Sequence, residues 1–200
     1  MSADDPVQLG ALRLYFSNRI DLTAEEFEQI AGLVIPRKIR KRQFLLHEGQ
    51  VCKYTAFVTN GCLRAYTIDD KGEEHIVRFA VENWWIEDIR SLRSFTPATY
   101  NIDALEDSEV LLLDQPSADK LFELNQKFEH FFNSLSLSAV AALERRIATL
   151  LTMTAEEKYL DLLKIYPILV QRVPHRHIAS YLGITPESLS RVRKGLTATR

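Results

Sequence analysis

Cysteine is scarce in this chain. Cys52 and Cys62 are the only two among 200 residues, too few for a disulfide framework and too few for the four thiolate ligands of an iron–sulfur cluster within one chain. No uninterrupted apolar run approaches the roughly 18 residues of a membrane span. The N-terminus lacks the basic stretch and apolar core of a secretory leader. Together these absences predict a soluble, cytoplasmic protein with no membrane partner. Chemical constellations are missing as well. His47, His75 and His130 stand without a ligand motif, and residues 40–114 lack the paired H-x-H, Glu and later His of a cupin metal site. No nucleophile–base pair or paired carboxylates occur, so no enzyme, metal or cofactor is expected.

What remains is enough for a core, since 46% of the residues are hydrophobic. The net charge of −2 hides an asymmetry. Residues 1–170 carry 19 Lys/Arg against 26 Asp/Glu, whereas residues 171–200 carry six against Glu187 alone. Such a basic end suits a polyanion. Along the chain, Gln8–Ile20 and Thr23–Leu33 have helical spacing, and Thr23 with Glu26 forms a capping box. From Arg37 to Asp114 the pattern becomes short β-like runs separated by turns, among them Asn60-Gly61 and Asp70-Lys71-Gly72. Several such strands predict a β-sandwich or roll. After Pro116 apolar residues recur at three and four from Leu121 to Leu151, giving one long helix or two in succession. Thr154 and Glu157 start a further helix, which Pro167 ends.

The segment HRHIASYLGITPESLSRVRKG meets the requirements of a helix-turn-helix position by position. Ala179 is small where two helices cross, and Gly183 supplies positive φ in the turn. Ile178, Leu182, Ile184, Leu189 and Val192 give the apolar positions. Thr185 suits the N-cap of the second helix and Pro186 its first position. Its exposed face offers Glu187, Ser188, Ser190, Arg191 and Lys194 to double-stranded DNA. His175, Arg176 and His177 lie at the start of the unit, where contacts to phosphate are expected. The bland alternatives are an ordinary helical hairpin and, for Glu187 with Arg191, an exposed ion pair worth only about 0.3–0.5 kcal/mol.

With these residues in place, nearly the whole chain resembles the cyclic-AMP receptor protein and FNR family of bacterial transcription regulators. Glu187-Ser188-Leu189-Ser190-Arg191 matches the E-x-x-S-R pattern of FNR-like members. The resemblance implies that Arg191 donates to a guanine and Glu187 accepts from a cytosine amino group, chemistry that suits a helix in the major groove. It also implies a homodimer through the long helix and contact with RNA polymerase. Apolar residues such as Phe131 and Leu137, lying outside a single stripe, fit a helix packed on two sides. Two departures stand out. Pro186 takes the place of an additional base-reading Arg in cyclic-AMP receptor proteins, and the nine residues after Arg191 are too few for the usual β-hairpin wing.

Members that bind cyclic AMP resemble one another in a G-E-[LI] stretch with R-[ST] about ten residues later. Here the corresponding pairs are Glu87-Asp88 and Ala98-Thr99. The phosphate-neutralising Arg is missing, a carboxylate stands where backbone must approach an anion, and Asp88 is one methylene short of the ribose. Arg90 and Arg93 are read as surface residues. Phe131-Phe132 falls where a hydroxyl pair would meet adenine. Glu87, Asp88, Ala98, Thr99 and Tyr100 thus outline a vestigial pocket, and Trp84, Trp85, Phe95 and Tyr100 either fill it or line a site for a less polar ligand.

The expected architecture is α+β: a β-roll sensor over residues 1–115, a dimerisation helix over 116–153 and an all-α helix-turn-helix domain without a full wing over 154–200. The expected function is a homodimeric DNA-binding regulator whose sensor has lost cyclic AMP and is ligand-independent or answers another small molecule. A cyclic-nucleotide-responsive regulator and a ligand- or protein-binding module without DNA affinity are the alternatives.

Overall fold

The computed structural model describes residues 5–198, which divide into two compact units, the residues up to Thr67 with Arg78–Leu135, and Ile68–Val77 with the residues from Ser136 onward. The first opens with α1 (Asp5–Ser17) and α2 (Ala24–Ala31). Thr23 caps α2 as the sequence predicts: its hydroxyl accepts from the Glu26 amide, and the Glu26 carboxylate accepts from the Thr23 amide. Eight strands follow: β1 (Ile35–Ile39), β2 (Phe44–Leu46), β3 (Tyr54–Asn60), β4 (Leu63–Ile68), β5 (Glu74–Ala80), β6 (Trp85–Ile86), β7 (Asn101–Ala104) and β8 (Ser108–Asp114), with the short helix α3 (Ile89–Ser94) between β6 and β7.

They form two four-stranded sheets, β1-β8-β3-β6 and β2-β7-β4-β5. Apart from β4 and β5, neighbours in space are not consecutive in sequence, as in a roll. Val110–Leu113 of β8 are all buried because α1 and α4 (Gln115–Leu124) cover the outer face of that strand. On the second sheet, Arg64 of β4 is paired in register with Asp103 of β7, and a bidentate ion pair at 2.7 and 3.0 Å joins their buried side chains.

Of the two readings of the stretch Leu121–Leu151, one long helix or two in succession, the structure has the second. Asn125 interrupts it between α4 and α5 (Gln126–Thr152), its side chain accepting from the Lys127 amide. The start of α5 buries Phe128 and Phe131 among Leu12, Tyr15, Phe16, Phe57 and Leu121. From Ser136 onward α5 belongs to the second unit with α6 (Ala155–Ile165), α7 (Pro167–Arg172), α8 (His175–Leu182) and α9 (Pro186–Ala198). Thr154 and Glu157 close the predicted capping box at α6. No helix among the described residues is long and apolar enough to cross a membrane.

Candidate nucleic-acid interface and sensor pocket

Helices α8 and α9 meet through Ile178, Ala179, Leu182 and Leu189, all buried. Gly183 ends α8 with φ +63°, so its amide returns to the α8 carbonyls while the chain turns. Thr185 caps α9 by accepting from the Ser188 amide at 3.2 Å. With Leu189 turned inward, Glu187, Ser190, Arg191 and Lys194 are exposed. Arg191 donates to the Ser188 hydroxyl at 3.2 Å rather than to Glu187, so in place of the alternative i,i+4 ion pair there is an i,i+3 link that keeps the guanidinium on the helix surface.

His175 and Arg176 are exposed at the start of α8, on the same unit as these residues. His177 is not available for phosphate. Its ring is buried, with Nδ1 3.8 Å from a Glu74 carboxylate oxygen and Nε2 accepting from Arg176 at 3.4 Å. The sequence signal passed over Arg193, which touches the His175 ring at the wall of a cavity of about 310 Å³ that Ser190, Lys194 and Thr197 also line. Partial burial and the Arg193 charge hold the His175 pKa below its ordinary value.

In the first unit the residues expected to outline a vestigial pocket come together, and they satisfy one another. Asp88 is buried: one carboxylate oxygen caps α3 by accepting from the Ser91 amide at 3.0 Å, and the other accepts from the Thr99 amide at 2.9 Å and its hydroxyl at 3.2 Å. Ala98 is buried too, its amide donating to the Gln50 carbonyl and its carbonyl accepting from Gly49. Glu87 accepts from Thr55 Oγ1 at 2.7 Å and Arg78 Nη2 at 3.0 Å, and its main-chain carbonyl accepts from the same Nη2 at 2.8 Å and from the Tyr100 hydroxyl at 3.1 Å. Burial pushes the Tyr100 phenol up to about 12. Arg78 is the cation that sequence reading missed, because its partner lies nine residues away, just past β6 of the other sheet.

The aromatic residues do not line this region as a set. Trp85 packs against Tyr15, Phe57 and Phe132, with ring centroids 6.4, 5.0 and 5.5 Å away. Phe95 ends α3 in a left-handed conformation and is 68% exposed. The reason is α1, whose Tyr15 and Phe16 build an aromatic core with the start of α5 and recruit Trp85 to it. Arg90 and Arg93 are exposed.

Residues 36–125 match the family model of the cyclic nucleotide-binding domain. Among curated proteins, none matches the chain by sequence. Solved structures do match in fold. FixK2 from Bradyrhizobium japonicum is 20% identical, with 83% of this chain and 85% of that one covered at a TM-score of 0.72. The c-di-GMP responsive global regulator CLP of Xanthomonas campestris is 16% identical over 88% and 93% at 0.68. The Thermus thermophilus catabolite activator protein is 19% identical over 89% and 85% at 0.55. The chain thus joins a match to the cyclic nucleotide-binding domain, at residues 36–125, to a long helix and C-terminal helices, and it shares this fold with these structures and with a putative transcriptional regulator of the CRP/FNR family from Eubacterium rectale, 18% identical over 92% and 88% at a TM-score of 0.68.

Proposed function

We propose that this protein is a homodimeric, sequence-specific DNA-binding transcription regulator whose β-roll is not a cyclic-nucleotide receptor. The observation that carries the reading is the exposed face of α9, where Glu187, Arg191 and Lys194 stand one helical turn apart on a helix anchored by buried Leu189. Arg191 reads a guanine edge and Glu187 a cytosine amino group in the major groove. Ser188 and Ser190 flank them, while Lys194, His175 and Arg176 meet phosphate.

A single such helix reads too few bases for selectivity, and two-fold pairing supplies a second half-site. On α5, Leu137, Val140, Ile147 and Leu151 form an exposed stripe at alternating spacings of three and four once Glu144 is included; Leu137 and Leu151 are 71% and 80% exposed. This is the periodicity of a coiled-coil seam, and a second copy of the chain is its occupant. The closed Asp88 and Glu87 networks support loss of cyclic-AMP binding, because each donor a phosphate or ribose would need already has an internal acceptor.

The test is the purified protein titrated with genomic duplex fragments at about 50 and 200 mM salt, where phosphate contacts make log affinity fall with log salt. Selective, salt-dependent binding without added nucleotide supports the reading. Failure to bind any fragment at the lower salt sinks it, as micromolar calorimetric binding of cyclic AMP would sink the ligand-independent part. RNA polymerase is the expected protein partner.

A further inference from the structure

We propose that the Glu87 side chain is a tethered ligand: its carboxylate occupies a small-anion site built by Arg78 and Thr55, and removing that side chain opens the site to a free carboxylate or phosphate. The inference deepens the ligand-independent reading of the roll and rests on it.

The donors do not belong to Glu87's own segment. Thr55 is on β3 of one sheet, Arg78 is on β5 of the other, and Glu87 follows β6. Hydroxyl and guanidinium therefore converge on a point fixed by the roll, with Thr55 Oγ1 2.7 Å from one carboxylate oxygen and Arg78 Nη2 3.0 Å from the other. A charged donor and a hydroxyl aimed at the two oxygens of one anion also describe how a free carboxylate or phosphate is held. The Glu87 side chain is only 14% exposed and Arg78 30%, unlike an ion pair between two solvated side chains.

Position is fixed from the backbone as well. Arg78 Nη2 and the Tyr100 hydroxyl both donate to the Glu87 carbonyl, so the cation is held in place even when the side chain of residue 87 is cut back. The neighbouring carboxylate cannot replace it, because both oxygens of Asp88 are engaged by Ser91 and Thr99. Truncation at Glu87 leaves a half-buried guanidinium and a hydroxyl without their carboxylate acceptor, the guanidinium keeping only the neutral main-chain carbonyl, and an uncompensated charge of this kind favours capture of an anion from solution.

The experiment is thermal unfolding of the full chain and of Glu87→Ala, with sodium acetate or phosphate exchanged for chloride at constant ionic strength. Glu87→Ala should melt lower than the parent and regain at least half of the difference at roughly 10–100 mM acetate or phosphate through linkage of binding to folding. The parent should respond no more to these anions than to chloride. Adding Arg78→Met to the variant should abolish the recovery. Should Glu87→Ala be unfolded in chloride, the same titration reads as return of the folded circular-dichroism signal. A variant indifferent to anions, or a parent that responds equally, overturns the proposal while leaving DNA binding untouched. Cyclic-AMP binding by the parent would instead sink the reading on which it rests.

Discussion

Arg146 of α5 lies over the Tyr181 ring of α8, its guanidinium carbon 4.1 Å from the ring centroid, and donates to that residue's carbonyl at 3.1 Å. The same guanidinium donates to the carbonyls of Ile76, at 2.9 Å, and Val77, at the hairpin segment that clusters with this unit. Burial pulls its pKa down from the ordinary value, yet an Arg remains charged. Arg146→Met keeps the length and loses every donor. It should lower unfolding stability by about 1–3 kcal/mol, the scale of charge-assisted hydrogen bonds, and speed amide exchange at residues 76–77. Unchanged denaturation midpoint and exchange would show that these contacts carry no stability.

Selectivity should depend on Arg191 more than on any neighbour. A bidentate contact with guanine is worth about 1–3 kcal/mol of base discrimination. Arg191→Ala should therefore reduce binding to the preferred site by roughly 5- to 150-fold while leaving the dimer and the salt-dependent background intact. Equal affinity of variant and parent for that site, measured by fluorescence anisotropy, would remove Arg191 from the base-reading role. Lys194→Ala should instead weaken all sequences alike and flatten the salt slope.

The helix-turn-helix was legible because its determinants are local: Gly183 needs positive φ, Thr185 caps the helix it precedes, and the apolar offsets close within about twenty residues. The capping boxes at Thr23 and Thr154 were legible for the same reason. What the sequence concealed depends on distant partners. The ion pair of Arg78 with Glu87 exists only once the two sheets face each other, and the burial of His177 depends on Glu74, 103 positions earlier. Asn125 hides differently. Helical periodicity resumes on both sides of it, so the break between α4 and α5 leaves no gap in the apolar pattern.

Glycine positions separate backbone strain from lack of space. Gly49 and Gly61 both have positive φ, at +83° and +106°. A Cβ on Gly49 would meet nothing within 4 Å, whereas one on Gly61 would lie 2.7 Å from Ser108 Cα. Gly49→Ala should cost about 1–2 kcal/mol from conformation alone. Gly61→Ala should cost at least about 2 kcal/mol more, because β8 itself would have to shift. Similar urea midpoints for the two variants would contradict that ordering.

His175 should titrate below about 6.5, and Arg193→Ala should raise its pKa by removing the cationic neighbour. The folded-state pKa lies below the unfolded one. Its small contribution to stability is therefore present above about pH 6.5 and is lost as pH falls through the folded pKa. Ring-proton NMR titration of the parent and Arg193→Ala checks both statements. A titration midpoint unmoved by the substitution would deny the electrostatic contact.

The seam on α5 makes predictions of opposite sign. Ile147 is exposed and one turn from Glu144 along the stripe that Leu137, Val140 and Leu151 continue. In the proposed dimer Ile147 would meet its own copy in an apolar layer, and Ile147→Asp should drive the protein to monomer in sedimentation and weaken operator binding together with it. Glu144 would also meet its copy there, placing two like charges in an otherwise apolar seam. Glu144→Leu should consequently tighten the dimer by roughly tenfold or more, since both the repulsion and the desolvation of two carboxylates disappear. If α5 served only its own chain, neither substitution would move the association constant. A partner packed on any other surface would respond to neither, so the opposite signs together identify this stripe as the interface.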